Sequence, residues 1–307
     1  MDDGKSTLIG RLLHDAHQVF DDQARALEAD SRRFGTQGTR LDFALLVDGL
    51  EAEREQGITI DVAYRYFATA ARRFIIADTP GHEQYTRNMA TGASTADVAV
   101  ILVDARKGVL NQTLRHTRIV ALLGIRHVLL AVNKMDLAGY AEPVFDAIVK
   151  AYEPFATACG ITSVVAIPIS ALEGDHVVES SARLPWYDGP TVMSYLETID
   201  VSGPSSSAPF RMPVQWISRP GPDFRGAAGR VCSGMVQPGD RVRVLPSGVE
   251  TSVKEIVTFD GPRPRAEAGD SVTLTLSDEV DVSRGDVIAV ANAAPAVADQ
   301  FEATVLW

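Results

Sequence analysis

The feature that most constrains this chain is the alternation running from Asp97 to Thr198. Near-continuous apolar runs at Asp97–Val103, Val128–Val132 and Val164–Ile169 alternate with helix-length stretches at Asn111–Leu123, Glu142–Ala158 and Thr191–Thr198. Runs of that kind read as strands buried on both faces, and connecting them through helices makes a mostly parallel sheet covered on both sides. Such sheets bind ligands beyond the carboxyl ends of their strands. Two of the runs lead into polar motifs there: the second into Asn133-Lys134-Met135-Asp136, the third into Ser170-Ala171-Leu172. Upstream, Tyr64–Phe67 and Arg73–Ala77 read as two strands joined by a short turn at Thr69–Arg72. The second of these runs into Asp78-Thr79-Pro80-Gly81-His82, and a helical pattern starts near Glu83.

The chain opens with Met1-Asp2-Asp3-Gly4-Lys5-Ser6-Thr7, and Gly4-Lys5-Ser6 is the closing half of the phosphate-binding pattern G-x-x-x-x-G-K-[ST]. The residue types suit the chemistry. Gly4 lets backbone N–H groups close on a phosphate, Lys5 supplies a point charge for the β- and γ-phosphates, and the Ser6 hydroxyl can ligate Mg²⁺. The following stretch is apolar at positions 8, 9, 12 and 13, a helical spacing that aims a helix N-terminus at the anion. Asp78 at a strand end can hold Mg²⁺ through water, and Gly81 lets a backbone N–H reach the γ-phosphate. An Asp at such a turn is equally an ordinary helix N-cap. Asn133-Lys134-Met135-Asp136 matches the N-K-x-D that reads guanine. The Asp136 carboxylate accepts from guanine N1–H and its exocyclic amine, and adenine lacks that donor pair, a discrimination on the order of 10⁴-fold. Ser170-Ala171-Leu172, one strand on, suits a backbone contact to the base. Thr59 is placed as a threonine that ligates Mg²⁺ only when the γ-phosphate is present. His82 is the candidate for orienting the attacking water, and the remaining histidines (14, 17, 116, 127, 176) are assigned to surface or packing.

A chain of 307 residues suggests two domains. The polar segment Asp21–Gly57 is long for a connection, and Leu41–Arg54 within it could form an amphipathic helix. Val201–Ala208 reads as a linker. Beyond it come short strands, Arg241–Leu245 and Val272–Leu276 among them, separated by turn signals, the pattern of a small β-barrel of roughly 90 residues. Phe301–Trp307 reads as one further strand. A net charge of −11 gives no footprint for a polyanion, so nucleic acid is not an expected partner. Two distant cysteines, Cys159 and Cys232, make no metal spacing or disulfide framework and fit a reducing cytoplasm. No apolar run reaches the roughly 20 residues that span a bilayer, so no membrane partner is expected.

These residues resemble the translation-factor class of GTPases, in which G-I-T-I (57–60), D-x-P-G-H (78–82), N-K-M-D (133–136) and S-A-L (170–172) occur in this order. Within that class the resemblance narrows to the GTPase subunit of bacterial sulfate adenylyltransferase. It is carried by residues 2–15, by Leu45–Gly57, by His82-Glu83-Gln84-Tyr85-Thr86-Arg87-Asn88-Met89, and in the barrel by Asp223–Gly226 and Leu245–Glu250. Elongation factor Tu has His where Asp3 stands and Thr where Ser6 stands. The resemblance implies an α/β phosphate-loop GTPase domain over 1–200, a linker over 201–208, an elongation-factor-like β-barrel over 209–294, and the start of a third β-domain over 295–307. It also implies GTP with Mg²⁺ as cofactor, with Asp2 beside the phosphates. GTP hydrolysis would drive adenylylation of sulfate by ATP on a separate small adenylyltransferase subunit, and some members of that family carry a fused adenylylsulfate kinase. The strand that precedes the phosphate loop in this fold is missing, and the family has Val where Met1 stands. The expected start therefore lies upstream, with a GTG codon read as Met. A translation factor carrying aminoacyl-tRNA and a non-hydrolysing scaffold are the competing readings.

Overall fold

The structure, a computed structural model, describes residues 3–16, 25, 27, 31, 41–47, 59, 61–201, 208–221, 224–300, 302, 303 and 305. Asp2, Gly57, Ile58, most of the polar segment from 21 to 57 and the linker residues 202–207 lie outside these. The chain divides into two units, Met1–Val201 and Ser202–Trp307.

The first unit begins with α1 (Lys5–Asp15). Leu8 and Leu12 are buried at i,i+4 spacing, and Arg11 adds an i,i+4 ion pair to Asp15 at 2.6 Å. The hairpin β1 (Ala63–Ala68) and β2 (Arg73–Asp78) pairs antiparallel, as its short turn requires, with Tyr66 opposite Ile75. A 3₁₀ turn over Glu83–Tyr85 leads into α2 (Thr86–Ala93). The alternation then holds through β3 (Val98–Asp104), α3 (Asn111–Leu122), β4 (His127–Asn133), α4 (Glu142–Ala158), β5 (Ser163–Pro168) and α5 (Val192–Thr198).

Strands β3, β4 and β5 form a parallel sheet in that order. The middle strand shows why its run is uninterrupted. Leu129 and Ala131 pack toward α1 with Leu8, Leu12 and Ile167, while Val128, Leu130 and Val132 pack the other way with Val120, Phe145 and Tyr152. Both faces are core, so period-two alternation of polarity has no place. Full burial of each such Leu is worth roughly 1.5–3 kcal/mol. On the far side of the sheet the Tyr152 hydroxyl meets Thr117 Oγ1 at 2.9 Å, which satisfies the one polar atom of a fully buried ring.

The sequence pattern implies one mostly parallel sheet, and the structure differs in one respect. The β1–β2 hairpin is a sheet of its own, and among the described residues no strand pairs β2 with β3. The side chains still join across this break. Phe67 stacks on Phe74 with ring centres 4.6 Å apart, and both belong to the cluster beneath α1. Residues 43–46 form a 3₁₀ turn where the pattern suggested the start of a longer helix, and residues 48–54 lie outside the described ones.

The second unit is antiparallel throughout. Its main sheet runs β6 (Arg211–Pro213), β15 (Val287–Val290), β10 (Arg241–Leu245), β11 (Glu250–Thr258), β14 (Ser271–Leu276), β8 (Phe224–Arg230) and β7 (Trp216–Gly221). Strand β12 (Gly261–Arg263) pairs with β11, and β9 (Met235–Val236) pairs with β13 (Ala266–Glu267). Alternation places Val242, Val244, Leu274 and Ile288 in one core. Gly229 on β8 allows the close approach of β6, since a Cβ there would stand 2.2 Å from the Pro213 carbonyl oxygen. Of 301–307, the described residues Glu302, Ala303 and Val305 belong to no strand.

Candidate functional site

Four strand ends and the start of α1 meet at one edge of the first unit. Gly4 is the N-cap of α1 with φ 90°, a left-handed backbone that favours glycine. A Cβ at Gly4 would stand 2.4 Å from Asn133 Nδ2, so only a hydrogen fits between the phosphate-loop backbone and that amide. The amide is a latch. Its Nδ2 donates to the Asp3 carbonyl at 2.9 Å, and its Oδ1 accepts from the Ala171 backbone N–H at 2.9 Å. Asn133 thus ties the loop before α1 to the loop after β5, and both ends of its 2%-exposed side chain are used.

Asp136 lies in the 3₁₀ turn Met135–Ala138 just after β4, with Lys134 at φ 65° providing the bend. Ser170 Oγ donates to Asp136 Oδ1 at 2.7 Å and itself accepts from the Glu173 N–H at 3.2 Å. That fixes the carboxylate's orientation. Leu172 is held from the other side, where its carbonyl accepts from Arg11 of α1 at 3.2 Å. Asp3, Asn133, Lys134, Asp136, Ser170, Ala171 and Leu172 are therefore one connected constellation.

Asp78, buried, ends β2, and Gly81 follows three residues later. A Cβ on Gly81 would stand 2.7 Å from Lys5 Nζ, so the Lys5 ammonium lies against the Gly81 backbone. Ser6 and Thr7 lie in the first turn of α1, and Thr59 is buried. His82 is exposed and caps the 3₁₀ turn, its Nδ1 accepting from the Gln84 N–H at 3.4 Å. Among the described residues no group of three or more His, Cys, Asp or Glu could hold a metal. Oxygen donors of the kind Ser6, Thr59 and Asp78 carry are the hard ligands that suit Mg²⁺, which keeps several waters and binds through few protein ligands.

Sequence reasoning missed three supports of this edge. Gln112 of α3 donates from Nε2 to the Gly81 carbonyl at 2.9 Å, and the same nitrogen lies 2.8 Å from His116 Nε2. His116, assigned to surface or packing, is therefore a partner of the Gly81 support, accepting the amide's second hydrogen as a neutral imidazole. Burial, with Lys5 and Arg115 nearby, lowers its pKa to about 4. The i,i+4 spacing of Gln112 and His116 on a helix after a strand was the available signal. Asp104, at the end of β3, and Arg11 are the other two.

The His116 shift carries a stability prediction. A histidine whose folded pKa lies below its unfolded value near 6.5 contributes stability above that value. The contribution is lost as pH falls from about 6.5 to about 4. We expect urea denaturation to show a loss on the order of 2 kcal/mol across that window, and His116→Gln to flatten it. An unchanged slope in the variant would show that His116 is not the titrating group.

The fold and this edge define a nucleotide-binding domain of the translation-factor GTPase class. A family model described as the elongation factor Tu GTP-binding domain matches residues 1–205, and elongation factor Tu domain 2 matches residues 226–289. The chain belongs to the elongation factor Tu GTP-binding family. Among curated proteins it is 58% identical to sulfate adenylyltransferase subunit 1 of Salmonella arizonae over 308 residues, covering 100% of this chain and 64% of that protein. Its identity to the protein of the same name in Tolumonas auensis is 59%, covering 100% and 65%. It is also 59% identical to the bifunctional enzyme NodQ of Rhizobium sp., covering 100% and 48%. The chain thus spans about half to just under two thirds of these relatives. Among solved structures, the GTPase-like domain of Ski7 from S. cerevisiae shares the fold, with a TM-score of 0.53 and 17% identity over 94% of this chain and 72% of that one. Among the described residues no helix is long and apolar enough to cross a membrane.

Proposed function

We propose that this chain is the GTP-hydrolysing part of a sulfate adenylyltransferase, and that its GTP turnover drives formation of adenylyl sulfate from ATP and sulfate on a separate small subunit. The observation that carries the nucleotide reading is the Asn133 latch. One side chain joins the phosphate-loop carbonyl of Asp3 to the Ala171 N–H, and Ser170 fixes Asp136 beside it. A phosphate grip and a guanine reader are thereby built as one piece. Identity of 58–59% along the whole chain to proteins named sulfate adenylyltransferase subunit 1 supports the narrower reading over an aminoacyl-tRNA carrier.

Each residue has a task in this reading. Backbone N–H groups at Gly4, Lys5, Ser6 and Thr7, with the Lys5 ammonium, hold the β- and γ-phosphates. Asp3 flanks them, and the resemblance implies the same for Asp2, which lies outside the described residues. The Gly81 N–H meets the γ-phosphate, and the peptide that follows it is braced by Gln112, which donates to the Gly81 carbonyl. Ser6, Thr59 and Asp78 would hold Mg²⁺, which neutralises charge on the phosphates. His82 accepts at Nδ1 from Gln84, which leaves Nε2 to position water. Asn133 and Lys134 support the base site, Asp136 reads guanine N1–H and its amine, and the Ser170-Ala171-Leu172 loop offers the base a backbone contact.

Hydrolysis of GTP by the chain, with and without the small subunit, ATP and sulfate, tests the proposal. Turnover is expected to rise only when all three are present. An equal rate with the chain alone, or tight aminoacyl-tRNA binding at physiological salt, would reject it. His82→Ala is expected to keep GTP affinity within about threefold while losing on the order of 10²-fold in turnover. Intact hydrolysis in that variant removes His82 from the role.

A further inference from the structure

One charged cluster in the first unit is centred on a residue outside the sequence motifs. Asp104 ends β3 with its carboxylate wholly withdrawn from solvent, at 0% exposure. An ionised carboxylate in such a place needs charged partners. Arg106 supplies them: its backbone N–H and Nε each lie 3.0 Å from Oδ1, and Nη2 lies 2.7 Å from Oδ2. Burial pushes the acid upward, yet these bonds and then Lys134 hold it well below the usual carboxylate range.

Arg106 alone forms the two-pronged pair that neutralises a carboxylate. Two further cations nevertheless converge on Oδ2, Lys134 Nζ at 3.3 Å and Lys107 Nζ at 3.8 Å. They come from different loops, and both lie beside the phosphate loop. Lys134 Cε passes 4.0 Å from where a Gly4 Cβ would stand, and Lys107 Nζ is 4.0 Å from Asp3 Oδ1. The neighbouring backbone adds a third tie, Ala105 N–H donating to the Asn133 carbonyl at 2.8 Å. The excess of cations lies where two ligand-binding loops meet.

We propose that Asp104 is a positioning residue for guanine-nucleotide binding, drawing the Lys134 ammonium across the phosphate loop so that the phosphate-gripping and base-reading loops keep one spacing. Asp104 itself touches no nucleotide. The proposal rests on reading residues 133–136 as the base-reading loop. It differs from a purely structural role in one way: the effect of Asp104 on binding must pass through Lys134.

A double-mutant cycle on the full chain, read with a fluorescent GDP analogue, tests that route. Asp104→Asn is expected to weaken binding on the order of tenfold in the native background and less than about twofold when Lys134 is already Met. An equal loss in both backgrounds would overturn the proposal. If Asp104→Asn does not fold, Asp104→Glu keeps the charge but moves it by one methylene, and the same cancellation is expected. A second readout needs no nucleotide. The Lys134 ammonium should give a slowly exchanging ¹⁵N resonance, assigned by its loss in Lys134→Met, that vanishes when Asp104 is replaced. If the native chain binds no guanine nucleotide, the reading of the site fails, and this resonance decides only whether Asp104 positions Lys134. A signal unchanged by replacing Asp104 would overturn it.

Discussion

Replacing Gly4 with alanine is expected to abolish guanine-nucleotide binding and to lower the stability of the first unit by about 2–4 kcal/mol. Two costs coincide at this position. The backbone sits at φ 90°, where a side chain is strained whatever the space around it. That alone costs of order 1–3 kcal/mol. The new Cβ would also stand 2.4 Å from Asn133 Nδ2, inside any real contact distance. The amide would have to leave, breaking its bond to the Asp3 carbonyl and disturbing the one to the Ala171 N–H. With Asn133 only 2% exposed, it has nowhere to rotate without leaving a buried donor unpaired. Gly108→Ala is the matched control: φ is 69° and no atom lies within 4 Å of the added carbon, so only strain remains. Urea denaturation of both variants, with nucleotide titration, separates the terms. A Gly4→Ala variant no worse than Gly108→Ala would refute the latch.

The order of elements in the first unit was legible because strands buried on both faces leave an unmistakable record. Val128–Val132 could be read as a strand buried on both faces because neither α1 nor α4 tolerates a polar residue beneath it. The residues of the N-K-x-D and S-A-L motifs stood out for a different reason, since their types are those that recognition of guanine asks for. How they are used was less legible. Asn133 looks from sequence like a base contact, and nothing in its spacing shows that its amide also joins two loops. Asp104 and Gln112 escaped notice because their roles arise from partners distant in sequence. Asp104 meets Lys134 and Gln112 meets Gly81, contacts that no local spacing encodes. The hairpin's separation from the parallel sheet was likewise not written in either strand, because pairing depends on what lies between them.

Asp136→Asn is expected to shift preference from guanosine to xanthosine nucleotides, with a loss in GTP affinity on the order of 10²-fold or more. The argument begins with what survives the change. Ser170 Oγ donates to Asp136 Oδ1 at 2.7 Å, and an asparagine carbonyl can accept the same bond, so the loop keeps its anchor. What changes is the second atom, which turns from an acceptor into a donor. Guanine presents N1–H and an exocyclic amine, two donors that a carboxylate accepts together. The asparagine NH₂ meets that amine donor to donor and leaves both unpaired, which makes the loss larger than that of one hydrogen bond. Xanthine carries a carbonyl where guanine carries the amine, so the same NH₂ gains an acceptor. Competition between GTP and XTP for the native and variant chains reads the shift directly. Because Ser170 holds the side chain in either form, loss of both nucleotides together would point to a collapsed loop. Unchanged GTP selectivity would show that Asp136 does not read the base.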